Sequence, residues 1–468
     1  MTMYSSKAGM LAALLALAGC AVGPQYEPLP IAPIALHSPQ AADHAGVPAD
    51  SVAAQWWTLF DDPVLAQWVD AALIHNHDIR QAQANLLAAR AVFDERQWDR
   101  VPGVTASAGY QRGSQQQFDE HGKPVRTLSE SWRAGFDMQW EIDVFRRLER
   151  LSQAAQARAQ ASEAELELMR LSIAAEVARS YFDAQGLMRR LAVAQQQVGN
   201  WRETVQLIDA HRRAGSGLPE DLENARSQLM RSEADIAPLT AALQQARMRL
   251  DVLTGQRPGQ GELTVPPPSA QPFSRQLPLG DVDALIRNRP DVRRAERQWA
   301  ASVHDVAAAT AELYPRFDLG GFIGFFALRG ADFGHAATRA FDLAPGATWP
   351  ALRLGNARAR LRGTQALSQG AQAQYEQALL QAQEEVENAV VSLTEHQRYM
   401  GSLMQSADHA ERAFDIARKR YQAGSGSYLS VLENQRELFR LKQDVAQAEM
   451  ASHFYVVALY KALGWGTA

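Results

Sequence analysis

The chain switches between two hydrophobic periods. From Asp61-Asp62-Pro63 onward apolar residues recur at helical spacing, in a helix that breaks near His75-Asn76-His77 and a second from Asp78 to about Arg100. Acid ahead of a first-turn proline suits a helix start, because the dipole favours negative charge and proline has no N–H to leave unpaired. The period then drops to two. Val104, Ala106, Ala108 and Tyr110 alternate with Thr105, Ser107, Gly109 and Gln111. After a polar loop, Arg112 to Glu130, the set Trp132, Ala134, Phe136, Met138, Trp140 and Ile142 alternates with Ser131, Arg133, Gly135, Asp137, Gln139 and Glu141. One apolar and one polar face predicts half-buried strands. Further on, Phe317, Leu319, Ile323 and Phe325 alternate with Asp318, Gly320 and Gly324, and Phe341, Leu343 and Trp349 continue the theme. The pattern predicts four strands in two β-hairpins, about 103–142 and about 316–353.

Between the hairpins run helical patterns of unusual length. Arg147 to Arg213 is free of proline and roughly 67 residues long, about 100 Å at 1.5 Å per residue. The return, Leu218 to Leu253, reaches only about 55 Å before a Pro-rich irregular segment, and Asp291 to Leu313 adds about 35 Å. Together these shorter helices nearly match the long one. The simplest geometry sets one continuous helix beside two stacked ones, with the irregular segment as a belt at their junction. A second set follows, Asn356 to Gln422 and Ser427 to Leu463.

The turns that interrupt these runs are near copies: Arg213-Ala214-Gly215-Ser216-Gly217-Leu218 and Gln422-Ala423-Gly424-Ser425-Gly426-Ser427. Glycine supplies the positive φ that ends a helix and reverses the chain, so each is the tip of a helical hairpin. Ala214 and Ala423 are 209 residues apart, and the same offset carries Glu176-Val177 onto Glu385-Val386 and Gly255 onto Gly464. An earlier block, Asp78-Ile79-Arg80, recurs 213 residues on as Asp291-Val292-Arg293. The chain is a tandem duplication of one elongated unit.

Strand alternation of this kind also serves soluble sandwiches, and long helices of this kind also serve coiled-coil spacers. Two features favour a membrane. Trp132 and Trp140 stand about 26 Å apart along a strand, near the spacing of the aromatic girdles on an outer-membrane barrel, and the opposite face carries Arg133, Asp137 and Glu141, suited to a wet lumen. Four strands cannot close such a barrel, and an open edge is not tolerated in lipid. Several chains must share it, two giving eight strands and three giving twelve. The membrane-facing aromatics are then Tyr110, Trp132, Phe136, Trp140, Phe317, Phe325, Phe341 and Trp349.

Composition narrows this little. The apolar fraction of 46% is rich in alanine, which favours closely packed helices, and the formal charge of −5 is spread over helix faces without a basic patch for nucleic acid. The only cysteine is Cys20. It follows a basic start, Met1 to Lys7, an apolar run, Ala8 to Ala18, too short to span a bilayer, and the small residues of Leu17-Ala18-Gly19-Cys20. That is a lipoprotein signal, residues 1–19, cleaved before a Cys20 that carries lipid and anchors the protein. A Pro- and Ala-rich tether follows within residues 20–60.

Catalytic motifs are missing: there is no phosphate loop, no His-Glu-x-x-His and no Gly-x-Ser-x-Gly. His75 and His77 are spaced for different helix faces, so no metal site is expected, no cofactor beyond the covalent lipid, and no enzyme activity. The chemistry lies at the tips. Glu220, Asp221 and Glu223 follow the first turn, and Glu433 stands on the matching helix after the second. Acids in a first turn favour the dipole in any helix. In a symmetric assembly they would also ring the axis and act as a cation-attracting aperture.

With these residues in view the chain resembles the TolC-like outer membrane efflux factors, in their lipid-anchored OprM and NodT-type branch. The stretches that carry the resemblance are Cys20-Ala21-Val22-Gly23-Pro24-Gln25-Tyr26, Trp56-Trp57 with Phe60-Asp61-Asp62-Pro63, Trp140-Glu141-Ile142-Asp143-Val144-Phe145, Arg289-Pro290-Asp291-Val292-Arg293, Tyr314-Pro315 and both tips. The resemblance implies a mainly α fold with a small β part: a homotrimer whose 12-stranded outer-membrane barrel continues into a helical periplasmic tunnel. It also implies a periplasmic adaptor and an inner-membrane proton-driven transporter exporting drugs or other small toxic compounds. Asp221 and Glu433 match aperture acids of the family, while Ser430 stands where some members carry another. Ala214, Gly215, Ser216, Gly217, Ala423, Gly424, Ser425 and Gly426 are the expected adaptor contacts. Arg146 replaces a usual glycine where strand meets helix, and Leu354-Gly355 keeps one of two, so the bends there are open. The first repeat is expected over 61–255 with its hairpin at 147–254, an equatorial linker over 256–280, and the second repeat over 281–468 with its hairpin at 356–463. A duct for type I protein secretion and a pore-less periplasm-spanning scaffold are the alternatives.

Overall fold

The computed structural model describes residues 21–30, 33–39, 55–215, 217–261, 263–267 and 281–464. The signal segment 1–19, Cys20, part of the tether, Ser216 and much of the expected linker lie outside the described residues. The element order runs twice through the same series. In the first half helices α1 (Pro63–His75) and α2 (His77–Trp98) lead to strands β1 (Gly103–Phe118) and β2 (Pro124–Ile142). Helix α3 (Arg147–Arg213) follows, with α4 (Pro219–Ala234) and α5 (Ile236–Leu253) returning. The second half has α6 (Val282–Asn288), α7 (Pro290–Ala311), β3 (Arg316–Ala327), β4 (Arg339–Thr348), α8 (Leu354–Gln422) and α9 (Tyr428–Leu463). Contacts divide the chain into a sheet-bearing unit, Met1–Pro30, Asn85–Glu163 and Arg294–Glu376, and a helical unit made of the remainder.

In the sheet-bearing unit the strands form one antiparallel sheet in the order β1-β2-β3-β4. The predicted loop from Arg112 to Glu130 is a correction: most of it is strand. β1 and β2 stay in register from Gly103↔Gln139 to Phe118↔Pro124, and Arg112 pairs with Glu130 at 3.2 Å. The reversal is confined to a few residues, where Asp119 Oδ1 accepts from the His121 and Lys123 amides and Gly122 takes φ 75°. Period-two reading failed here because the few apolar residues, Phe118, Val125 and Leu128, do not recur on one face, so the alternation that marks a half-buried strand is missing.

The register puts Tyr110, Trp132, Phe136, Trp140, Phe317, Phe325 and Phe341 on one face, through pairs such as Tyr110↔Trp132, Ala134↔Phe325, Ile142↔Phe317 and Ile323↔Phe341. Tyr110, Phe136 and Phe341 are exposed there. Trp349 falls one residue beyond β4. Its indole Nε1 donates to the Leu313 carbonyl at 3.0 Å, and Trp140 donates to the Arg100 carbonyl at 3.1 Å. These are repeat-related bonds that fix each tryptophan to the chain leaving the preceding helix, and they satisfy a carbonyl the helix end leaves open.

Arg133 and Asp137 share the opposite face, paired at 2.5 Å, with Ser107 also bonded to Asp137. Phe322 belongs to this polar face too, since it pairs with Asp137. Its ring lies against Gly135 and Gly324, where an added Cβ would meet ring carbons at 2.7 and 2.9 Å, and the Arg133 guanidinium sits 4.0 Å above the ring centre.

The two strand-to-helix bends differ. Before α3, Arg146 takes a left-handed φ of 59°, at a cost of about 1–2 kcal/mol for an L-residue, and its carbonyl accepts from the Arg150 amide. Before α8, a short 3-10 turn, Ala351–Arg353, runs into Leu354 at φ −56° without a left-handed residue. In the same unit Tyr26 donates to Glu296 at 2.5 Å and packs edge-on against Trp299, and Gly23 at φ 88° lies so close to Ala307 that a Cβ would come within 2.7 Å of its Cα.

The helical unit is held at its joints. Asp62 caps α1, accepting from the Val64 and Leu65 amides and from the Tyr181 hydroxyl. Asn76, between α1 and α2, accepts from the Asp78 and Ile79 amides while its Nδ2 donates to the Leu253 carbonyl at the end of α5. Its counterpart between α6 and α7 is Arg289, which donates to the Ala462 carbonyl at the end of α9 and pairs with Asp291 and Glu385. Gly255 and Gly464 end those return helices at φ 75° and 74°. A Cβ on either would stand 2.6 Å from the His75 carbonyl oxygen or 2.8 Å from Arg289 Cγ. The first return helix is not the continuous element expected: it breaks at Asp235. Pro238 cannot donate to Ala234 and its ring opposes that carbonyl. The equivalent of Pro238 in the second half is Gln447, and α9 is unbroken.

Replacing Arg289 by Met or Asn76 by Ala removes a buried donor from a helix-end carbonyl, and each loses about 1–3 kcal/mol. The detergent-solubilised protein then shows a lowered thermal midpoint in both variants, followed by circular dichroism at 222 nm, and an unchanged midpoint would show that the joints do not depend on these bonds.

Candidate functional site

The tips are built by two turns of the same geometry. At the first, the Ala214 amide donates to the Ala210 carbonyl and Gly215 donates to Arg212 with φ 80°. At the second, Ala423 donates to Lys419, Gly424 to Tyr421 with φ 74°, and Ser425 to Arg420. Gly217 and Gly426 close each turn against the helix, with room for a Cβ only 2.8 Å from the Arg212 amide and 3.0 Å from the Tyr421 amide. The caps differ. Ser427 accepts from the Ser430 amide, whereas Leu218, in the same place before α4, is exposed and offers no side-chain cap.

The predicted acids do not form one cluster within the chain. Glu220 and Glu433 are exposed, and Glu223 is exposed but paired with Arg226 at 2.8 Å. Asp221 is half-buried and faces tyrosines of the other hairpin. Tyr428 is buried among Trp201, Ile208, Leu222, Ala225 and Leu432, with Tyr421 packed against the same cluster. Its hydroxyl has no hydrogen-bond partner among the described residues. Burial, and then the negative charge of Asp221, push the Tyr428 hydroxyl up to about 12, and the same two causes raise Tyr421. His211 of the first hairpin lies 5.3 Å from the Tyr421 ring. The first hairpin thus supplies the acid and the second the aromatics. The spacing that marks the tips in the sequence carries no signal for these aromatics, whose partners lie on the other hairpin. A groove of about 140 Å³ opens beside them, lined by Asn200, Glu203, Phe414, Arg418, Tyr421 and Tyr428 among others.

Among the described residues no group of histidine, cysteine and carboxylate side chains could hold a metal ion, and no helix is long and apolar enough to cross a membrane. What could enter a bilayer is the sheet, with its aromatic face and two unpaired edge strands. A sheet with one aromatic and one polar face, on a chain of long helical hairpins, has the makings of a membrane-channel subunit.

The sequence matches the outer membrane efflux protein family over residues 68–256 and 282–465, one match for each repeat, and the chain belongs to that family. The channel OprN superposes with a TM-score of 0.91 at 37% identity, over 96% of this chain and 100% of that one. Outer membrane protein OprJ of Pseudomonas aeruginosa is 29% identical over 97% of this chain and 94% of its own. The solvent efflux pump outer membrane protein SrpC of Pseudomonas putida and the cation efflux system protein CusC of Escherichia coli are each 27% identical, over 97% of both chains. The protein is an outer membrane efflux channel of the tripartite-pump class and not an enzyme.

A raised tyrosine pKa favours the neutral form in the packed tip. Packing at Tyr428 is therefore fully present below about pH 10 and is lost as pH rises toward 12. Tyrosinate absorbance at 295 nm, wild type minus Tyr428→Phe, should rise near pH 12, and a rise near 10 would show the hydroxyl to be solvated.

Proposed function

We propose that this chain is the exit duct through which a tripartite pump releases drugs and other small toxic organic compounds from a Gram-negative cell, passive in itself and gated at its hairpin tips. The observation that carries the reading is the sheet: one aromatic face, one polar face, and edges β1 and β4 left open, in a family of outer membrane efflux channels. A bacterial barrel has at least eight strands and no free edge, so copies of this chain must complete it, and a homotrimer gives twelve. Drive comes from a proton-driven inner-membrane transporter, coupled through a periplasmic adaptor that meets the tips at Ala214, Gly215, Gly217, Ala423, Gly424, Ser425 and Gly426 and the flanking groove. The covalent lipid on Cys20 anchors the complex, on the strength of Leu17-Ala18-Gly19-Cys20. Asp221, Glu220, Glu223 and Glu433, repeated around the axis, form the cation-attracting aperture.

A second reading has a specific source. The similarity to CusC, named for cation efflux, equals that to SrpC, named for solvent efflux, and an acidic aperture does not hinder cations. Expressed with its own adaptor and transporter in a host lacking an outer duct, the protein should raise the inhibitory concentration of hydrophobic drugs and toluene at least fourfold. Protection against copper or silver alone would transfer the cargo to cations. In planar bilayers, Asp221→Asn with Glu433→Gln should raise the open conductance and lower cation preference; no change in either removes the aperture from these residues. Labelled palmitate should be lost on Cys20→Ala, and labelling that persists would dismiss the anchor.

A further inference from the structure

The two places where the sheet passes into a long helix are repeat-related, yet their charges differ. At the first, Arg146, Arg147 and Arg150 are interspersed with Glu141, Asp143 and Glu149, and Arg147 is bound to Glu141 at 2.6 Å. Leu148 and Arg150 are buried there. At the second, Arg353, Arg358, Arg360 and Arg362 follow one another, and the chain carries no Asp or Glu from Leu343 to Tyr375. All four arginines are exposed.

The second junction also opens around a cavity of about 480 Å³, set between the residue after α7, the first of β3, the last of β4 and the start of α8. Arg316, Arg353 and Arg360 line it, with Glu312 as the carboxylate among them. Glu312 accepts from Arg360 at 2.9 Å and stands 3.9 Å from Arg316, while Arg353 has no carboxylate partner among the described residues. Three guanidinium groups against one carboxylate leave two positive charges uncompensated. Arginines on a solvated helix face are ordinary, and Arg358 and Arg362 need no other account. Those in the cavity differ, because Arg353, Ala357 and Arg360 share one side of the start of α8 and Arg316 is brought to them from a strand. Their counterparts in the first half are Val144, Leu151 and Gly103, so the duplicated unit turns from sheet to helix without these charges. The cavity has an apolar side as well. Trp349 lines it from the aromatic face of the sheet, and Leu352 close by is fully exposed. Such a side chain gains nothing from water and is stabilised by hydrocarbon.

We propose that this cavity binds the phosphodiester head group of an anionic phospholipid, with Arg316 and Arg353 on the phosphate oxygens and the acyl chains passing Trp349 and Leu352 along the aromatic face. Guanidinium groups take phosphate oxygens in forked pairs, and basic pockets at a membrane surface hold lipid head groups. The inference rests on the shared-barrel reading above, in which this end of the sheet meets the inner, phospholipid leaflet of the outer membrane. A zwitterionic head group would bring an ammonium to a site whose carboxylate, Glu312, is already held by Arg360. The site therefore prefers a head group of net negative charge, one lipid to each copy of the chain.

The test is native mass spectrometry of the full-length protein, stripped of lipid in detergent and titrated with phosphatidylglycerol or phosphatidylethanolamine. The wild type should retain one phosphatidylglycerol per chain, held about tenfold more tightly than phosphatidylethanolamine. Arg316→Gln with Arg353→Gln should weaken phosphatidylglycerol binding about tenfold. Arg358→Gln with Arg362→Gln, which removes the same charge from outside the cavity, should leave it nearly unchanged. Equal loss in both pairs, or no preference between the lipids in the wild type, would overturn the site and leave only general surface charge. Displacement of the lipid by inorganic phosphate would overturn the lipid as occupant. A trimer that retains no phosphatidylglycerol would sink this inference and leave the shared barrel standing, whereas a monomer by native mass would remove both.

Discussion

The architecture depends on how the chain satisfies a break in the middle of a helical layer. Two stacked helices beside one continuous helix bring a C-terminus and an N-terminus together, and each end leaves backbone groups without intrahelical partners. Here one side chain at each joint serves both ends. Asn76 accepts from the amides opening α2 and donates to the last turn of α5. Arg289 reaches the last turn of α9 in the same way. The glycines ending α5 and α9 have no room for a Cβ, so the ends approach to a fixed distance. With the joints set, the stacked helices keep register against α3 and α8, and the tips far along the sequence inherit that register.

The two copies solve the same problem with different chemistry, and the differences mark where symmetry is useful to break. The first joint is a neutral amide, whereas the second is a buried guanidinium tied to Asp291 and Glu385, which adds a link to α8. At the tips the turns agree, yet the first copy contributes Asp221 and the second Tyr421 and Tyr428. The hairpins are joined by the apolar cluster around Tyr428, with the Asp221 carboxylate at its side.

Much of this was legible in the sequence because it follows from period and from glycine. The extent of α3, the tip turns, the helix break at Asn76 and the apolar faces of the strands are local consequences of spacing. The misses have physical causes as well. Arg112 to Glu130 looks like a loop because its strand has no apolar face. Pro238 was passed over inside a strong helical pattern, although the residue that breaks α4 from α5 was in plain view. Phe322 sits on the polar face against the usual alternation, and its reason, a floor of Gly135 and Gly324 beneath the ring, lies on neighbouring strands. Tyr428 gains its role from α3 and α4, more than two hundred residues earlier. The bend at Arg146 could not be read because a left-handed arginine is held by the surrounding fold and not by its own preference.

Charge is arranged differently on the sheet and at the hairpin tips. On the polar face of the sheet two pairs are matched, Arg133 with Asp137 and Arg147 with Glu141 where the strand gives way to helix, while the register puts Asp318 and Asp342 on the same face. Arg133 is further held against Phe322, so its guanidinium is directed along the wall. At the tips Glu220 and Glu433 are exposed, and among the described residues only Glu223 of the named acids has an arginine partner. Unmatched charge exerts force on a solute only where the passage narrows to about a Debye length, near 8 Å in physiological salt. Charge on the sheet is partly settled between neighbouring side chains, whereas at the turns Glu220 and Glu433 face solvent.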